Sequence, residues 1–302
     1  MSGETPSKQF LDSLCEEIRR TVSAGRLDKA LILAEEAIDL AEATGDPVEI
    51  DRMVCNLGAI QVARDEGETV TPRLRRILMS STDPANRFNA AYAIAQHHER
   101  IDEIERGQFY ANAAVGYAEK CGDPASLARA YNQVGNLQLV RSYFEEASQN
   151  YAKALALVDE PETLELAILL SNLGYCQTVL GDFDSSFVSL SRSHRILRDL
   201  RADRWLHLPL LGLSFAYLEV GQYAEAEGHA QRALELAESA SYQDNQVKNA
   251  LYLLGEATKL AGKDEESYQH ICHLQQRFYP DQPMVVDVLV ATDIRKLINL
   301  MA

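Results

Sequence analysis

Apolar positions along this chain fall at helical spacing within short segments, and the segments come in pairs. From Arg129 to Leu157, Tyr131, Val134, Gly135 and Gln138 recur on one helix face. A turn at Arg141-Ser142-Tyr143 follows, and then Phe144, Ala147, Tyr151, Ala154 and Leu155 form a second apolar face. Two amphipathic helices joined by a short turn predict an antiparallel hairpin. Gly135 lacks a side chain where the first helix meets the second, and Ala147 is small at the facing position. Together they predict close helix contact, with Tyr131 and Tyr151 filling the space on either side.

The same spacing returns along the sequence. Leu170, Leu173, Gly174 and Gln177 precede Gly181-Asp-Phe183, then Ser186, Leu190 and Ser193. Leu210, Leu213, Ser214 and Tyr217 precede Gly221-Gln-Tyr223, then Ala226, Ala230 and Ala233. Leu251, Leu254, Gly255 and Thr258 precede Gly262-Lys-Asp264, then Ser267, Ile271 and Leu274. Near the start, Leu14 and Ile18 precede Gly25-Arg-Leu27, then Ala30, Ala34 and Ala37. Gly135 and Gly174 are 39 residues apart, and Gly181, Gly221 and Gly262 follow one another at 40 and 41. A fixed period of this size means like units stacked on their neighbours. Each turn glycine sits just past a first helix, where a left-handed backbone is cheap only without a side chain.

Two units depart from the pattern. Asn56-Leu57-Gly58 begins the second properly, but Gly67-Glu-Thr-Val-Thr-Pro72 is expected to interrupt the way into its second helix, with Arg64, Arg73, Arg75 and Arg76 crowded nearby. The third has Ala91, Ile94 and Ala95, then Ile104, Gly107, Ala111 and Ala114. Residues 1–9 are polar, carry Pro6, and read as a disordered tail. Residues 10–280 form the repeat array of about seven units. Residues 281–302 read as a closing helix from Pro283 to Met301, capped by Asp281, with Val285, Val286, Leu289, Ile294, Leu297 and Ile298 as apolar faces. That helix would cover the exposed end of the last unit, or pair with a second copy in a homodimer.

Large, then large-small, then Gly-x-aromatic, then small residues every three or four positions: this order resembles the tetratricopeptide repeat (TPR) across roughly residues 11 to 280. The phrase Ala41-Glu-Ala-Thr-Gly-Asp-Pro47 is similar to the TPR arms of large bacterial regulatory ATPases. The resemblance implies an all-α fold, a right-handed α-solenoid of about seven helical hairpins with a C-terminal capping helix. It also implies a concave wall built from first helices that binds peptides or proteins. A phosphate-binding loop of the form Gly-x4-Gly-Lys-Ser/Thr is absent, so only the arm-like part is present.

At the non-core positions of first helices stand Asn56, Tyr92, Gln96, Arg129, Asn132, Asn136, Asn172 and Tyr175. Asparagine carries both a donor and an acceptor, so it pairs with the backbone of an extended segment whatever the sequence of that segment. In the carboxylate-clamp subset of the family, three neighbouring first helices hold a terminal carboxylate with asparagines and cations. Asn136 and Asn172 match the two clamp asparagines. Asn132, Leu208 and Gly212 stand where cations belong, so capture of chaperone C-termini is not implied.

Charge and composition narrow the partner. The 302 residues include 45 acidic against 29 basic, a formal charge of −16 that repels phosphate backbones and argues against nucleic acid. Nowhere do 18 apolar residues run together, so no helix is expected to span a membrane. The start lacks the pattern of a signal peptide, and the five scattered cysteines lack a Cys-x-x-Cys, so reduced thiols in the cytoplasm are expected. His97-His98 and His270-Ile-Cys-His273 are the clustered potential metal ligands, and neither completes a metal pattern. No nucleophile–base spacing stands out and no cofactor is implied. The sequence therefore predicts a non-enzymatic binding scaffold, with a peptide-responsive regulatory module as the alternative and an enzyme with an unrecognised site as the second.

Overall fold

The structure is a computed structural model that describes residues 8–158, 162–239, 244–295, 297, 299 and 300. Fifteen α-helices and no strand occur among the described residues. Fourteen follow in seven consecutive pairs: α1 (Lys8–Ser23) with α2 (Leu27–Thr44), α3 (Pro47–Ala63) with α4 (Gly67–Ser80), and α5 (Pro84–Arg100) with α6 (Ile104–Cys121). Then come α7 (Pro124–Val140) with α8 (Phe144–Ala156), α9 (Leu164–Val179) with α10 (Phe183–Asp199), α11 (His207–Glu219) with α12 (Tyr223–Ser239), and α13 (Asp244–Leu260) with α14 (Asp264–Phe278). A single short helix, α15 (Met284–Ala291), follows. The chain divides into two compact units, one reaching Leu137 and the other starting at Gln138, so that α7 crosses the division.

The turn within every pair holds one residue in the left-handed region, with φ between 59° and 82°. Gly25, Gly181, Gly221 and Gly262 fill four of these positions, and Asp65, Asp102 and Ser142 fill the other three. The turn is thus common to all seven pairs although glycine is not. Two first helices start alike: Asp46 and Asp83 accept from the backbone N–H groups of Val48 and Ala85 at 2.9 Å, each ahead of a proline in the first turn. Such caps satisfy the orphan donors of a helix N-terminus.

In the first unit, α1, α3 and α5 pack successively, and the small face of α2 (Ala30, Ala34, Ala37, Ala41) is fully buried with Met53, Leu57, Leu74 and Ile94. The anticipated interruption after Gly58 is not one. Helix α4 starts at Gly67 and carries Pro72 within it, while the Thr71 hydroxyl donates to the Gly67 carbonyl at 2.8 Å. Gly67 is there because of packing, since a Cβ would meet His97 Nδ1 at 2.5 Å.

In the second unit, α9, α11 and α13 pack successively, backed by the small faces of α10, α12 and α14. Serines replace alanines on α10: Ser186 donates to the Gly174 carbonyl at 2.9 Å, and Ser193 to the Ala167 carbonyl at 2.6 Å. Ser267 on α14 donates in the same way to the Gly255 carbonyl at 2.7 Å. Each buried hydroxyl finds a carbonyl of the partner helix, so the polar stripe carries no desolvation penalty.

Two end segments differ from expectation. Helix α1 already begins at Lys8, inside the segment read as a tail, and the rest of that tail (1–7) lies outside the described residues. The helix expected from Pro283 to Met301 spans only Met284–Ala291 and packs on α14. Thr292 leaves it with extended angles (φ −127°, ψ 129°). The Asp293 carboxylate accepts from the backbone N–H of Arg295 at 3.0 Å, a local side-chain bond that competes with helix continuation. Among the described residues, no helix is long and apolar enough to cross a membrane.

Candidate functional site

All eight residues singled out from the sequence lie on first helices: α3, α5, α7 and α9. Six of them belong to the first unit and two, Asn172 and Tyr175, to the second.

In the first unit, Arg129 is exposed, and its guanidinium lies 4.6 Å from the ring centre of Tyr92 and 5.5 Å from that of Phe88. A cation over two aromatic rings is held in place and still offers its N–H donors outward. Tyr92, Gln96, Asn132 and Asn136 are half-buried on the same two helices. The Asn132 carbonyl oxygen is buried and has no hydrogen-bond partner in the described structure, whereas Asn136 interacts within the fold. Asn56 stands apart, its amide donating to Cys15 Sγ at 3.2 Å, a contact between α3 and α1. Deeper between α5 and α7, Gln133 donates to Glu99 at 2.6 Å, and burial raises the Glu99 carboxyl above its usual range.

The second unit corrects one expectation. Tyr175 is not an open groove residue: it is 1% exposed, packed edge-on to Phe144 and tilted against Phe215. Burial pushes its phenol up to about 12. What covers this wall is the chain's own end. Described residues beyond Thr292 contact first helices of the unit, and the Leu300 N–H donates to Tyr175 Oη at 3.0 Å. The Asn249 amide of α13 donates to the Leu300 carbonyl at 2.6 Å, so both backbone groups of one residue are held by side chains from two first helices. Arg295 pairs with Glu219 of α11 at 3.2 Å, both nearly buried, and with Asp293 at 2.6 Å. The Arg295 guanidinium holds the Asp293 carboxyl down to about 2. Asn299 donates to the Leu139 carbonyl at the end of α7, at 2.6 Å.

Beside this segment a cavity of 370 Å³ remains open, lined by Asn249, Tyr252, Leu289, Ile294 and Asn299 among others. Asn172, on α9, is half-buried and also interacts within the fold. Sequence reading missed Glu219, Asn249, Arg295 and Leu300, because a terminal strip rich in aliphatic residues reads as a helix. The one signal was Thr292-Asp293, a stop in the pattern.

The histidine pairs do not gather further ligands: among the described residues, no three His, Cys, Asp or Glu side chains stand together as metal donors. His97 and His98 are buried, and His98 Nδ1 lies 2.8 Å from Glu103. Of the arginines near Gly67, Arg64 is paired with Asp28 and Glu66.

No protein-family model and no curated protein matches this chain. Solved structures do. A Rap protein complexed with competence and sporulation factor superposes with a TM-score of 0.66 at 14% identity, covering 91% of this chain and 79% of that one. The signal transduction ATPase PH0952 from Pyrococcus horikoshii, a protein with a tetratricopeptide repeat sensor, gives 0.65 at 16%, covering 94% of this chain and 44% of that one. PilW, a type IV pilus biogenesis factor, gives 0.59 at 19%, covering 80% and 98%. At these identities the likeness is one of architecture. Paired helices at a period near 40, a left-handed turn in every pair and small buried residues on most of the second helices give this chain the fold of the tetratricopeptide-repeat proteins.

Proposed function

We propose that this chain is a non-enzymatic scaffold that binds an extended protein or peptide segment on the wall of its first helices. The observation that carries this reading is the grip on Leu300, where Asn249 and Tyr175 take the backbone carbonyl and N–H of a non-helical segment. Recognition of backbone by side-chain amides and hydroxyls is independent of sequence, and pockets and charge then select. The Rap structure, complexed with competence and sporulation factor, supports the reading by fold likeness. In the first unit, Tyr92, Gln96, Arg129, Asn132 and Asn136 provide a stacked cation and amides of the same kind, and in the second unit Asn172 on α9 provides another amide. Replacing Asn132, Asn136 and Asn172 together by alanine should abolish capture of a native partner in a pull-down by a variant that keeps its helicity by circular dichroism. Undiminished capture would overturn the assignment of these residues.

A regulatory role is the second reading, favoured by the likeness to a protein whose repeat portion is a sensor. In that case a short peptide changes the compactness of the chain. Small-angle scattering with and without the peptide separates the two: an unchanged radius of gyration at saturation leaves the static scaffold.

A further inference from the structure

We infer that the C-terminal segment is a resident ligand of the second unit, and that it occupies the site of an external segment with a basic residue five positions before an aliphatic one. The inference rests on the peptide-binding reading above and adds the occupant and its sequence pattern.

Four observations carry it. The segment leaves the helical conformation at Thr292 and turns between Ile294 and Leu297, so it is not a continuation of α15. Its contacts with the wall are those of a ligand: backbone to Asn249 and Tyr175, and one charged side chain to Glu219. Its two anchors, Arg295 and Leu300, are 12% and 3% exposed, whereas Leu297 between them is 79% exposed. Core-forming segments bury their leucines, and a mix of buried and exposed side chains among the described residues marks a strip docked on a surface. Lastly, a cavity of 370 Å³ lies between Asn249 and Tyr252 of α13, residues of α14 and α15, and Ile294 and Asn299 of the segment, which leaves room for an occupant with a larger apolar side chain.

Charge fixes the class of partner. Glu219 and Glu256 are nearly or fully buried on the wall, and Lys259 answers Glu256 at 2.7 Å. Glu219 pairs with Arg295 of the segment, and an incoming segment that carries a basic residue at that place restores the pair. An acidic segment is therefore rejected.

The test uses the full chain and a fluorescein-labelled peptide of sequence 292–302. Arg295→Glu with Leu300→Asp releases the segment, and fluorescence anisotropy should then report peptide binding at least about tenfold tighter than to the parent protein. Adding Glu219→Lys should abolish that gain, and Arg295→Ala alone should give a smaller gain if the double variant folds poorly by circular dichroism. Trypsin should cut after residue 295 readily in the Arg295-retaining variant Leu300→Asp and slowly in the parent. Equal peptide affinity in parent and released proteins, with the cut accelerated, would overturn resident-ligand status. In that event, partner capture that still depends on Asn132, Asn136 and Asn172 leaves the scaffold reading standing. Loss of that dependence removes the scaffold reading instead.

Discussion

The backbone N–H of Leu300 donates to the phenolic oxygen of Tyr175 across 3.0 Å, joining residues 125 positions apart in the sequence. Both partners are buried, at 3% and 1% exposure, so no water replaces the bond if the hydroxyl is removed. A buried donor left unsatisfied costs about 1–3 kcal/mol. Tyr175→Phe should therefore loosen the terminal segment by that amount while the aromatic packing on Phe144 and Phe215 persists. Amide hydrogen exchange at Leu300 should accelerate by about tenfold or more, with exchange in α9 itself unchanged.

Leu190 of α10 is wedged between two glycines. A Cβ on Gly174 would meet its Cγ at 2.6 Å, and a Cβ on Gly212 would meet its Cδ2 at 2.6 Å. Gly174→Ala and Gly212→Ala should each destabilise by about 1–3 kcal/mol through overpacking, read as a lower urea midpoint. Because one leucine must yield to both, the double variant should cost less than the sum.

Glycines 181 and 228 make a matched pair, since a methyl group added to either would have no atom within 4 Å. Gly181 has φ of +82° in the turn before α10, whereas Gly228 lies within α12 with ordinary helical φ. Gly181→Ala should cost about 1 kcal/mol from backbone strain alone. Gly228→Ala should stabilise by about 0.5–1 kcal/mol, because alanine loses less freedom in a helix. Thermal melts of the two variants should shift in opposite directions.

His207 begins α11, 2% exposed, with Nδ1 2.9 Å from the Arg204 carbonyl. Burial holds its imidazole down to about 4 against an ordinary 6.5. The unfolded chain therefore binds this proton more tightly, and the stability contributed by neutral His207 is full above pH 6.5 and lost as pH falls towards 4. By a pH of about 4.5 the loss is about 2–3 kcal/mol. His207→Asn, which keeps a donor for the carbonyl, should show a smaller drop in urea midpoint between neutral and acidic pH than the parent. His98, His194, His229 and His270 are shifted the same way by burial and add to the drop.

Thiol chemistry should follow burial. Cys15, Cys55 and Cys176 are buried, and burial raises their thiols, Cys176 to about 12. Cys121 and Cys272 are partly exposed. Native labelling with a maleimide near neutral pH should modify these two within minutes and leave the other three until denaturant is added.

The hairpins were legible because their signals are local. Ala30, Ala34 and Ala37, or Ala226, Ala230 and Ala233, repeat at helical spacing and end fully buried. The turn was legible where glycine fills it, and at Ser142 through its neighbours. It was obscured at Asp65 and Asp102, where aspartate takes the same left-handed backbone, and Gly67 drew attention to the wrong place. The place of the candidate positions on first helices was legible, but burial of Tyr175 was not, since its cover lies 125 residues away. Local periodicity says which face of a helix is inward, and it says nothing about a distant segment that returns to lie on the outward face.

A ligand carried on the same polypeptide never dilutes away. A short tether presents its end at an effective concentration of about millimolar, whatever the amount of protein in the cell. An outside segment that displaces Leu300 from Asn249 and Tyr175 must therefore bind much more tightly than the resident does, or arrive tethered to a second foothold. On the resident-ligand proposal, the segment around Leu300 would make the wall a threshold device, deaf to weak and abundant peptides and responsive to strong or multivalent ones.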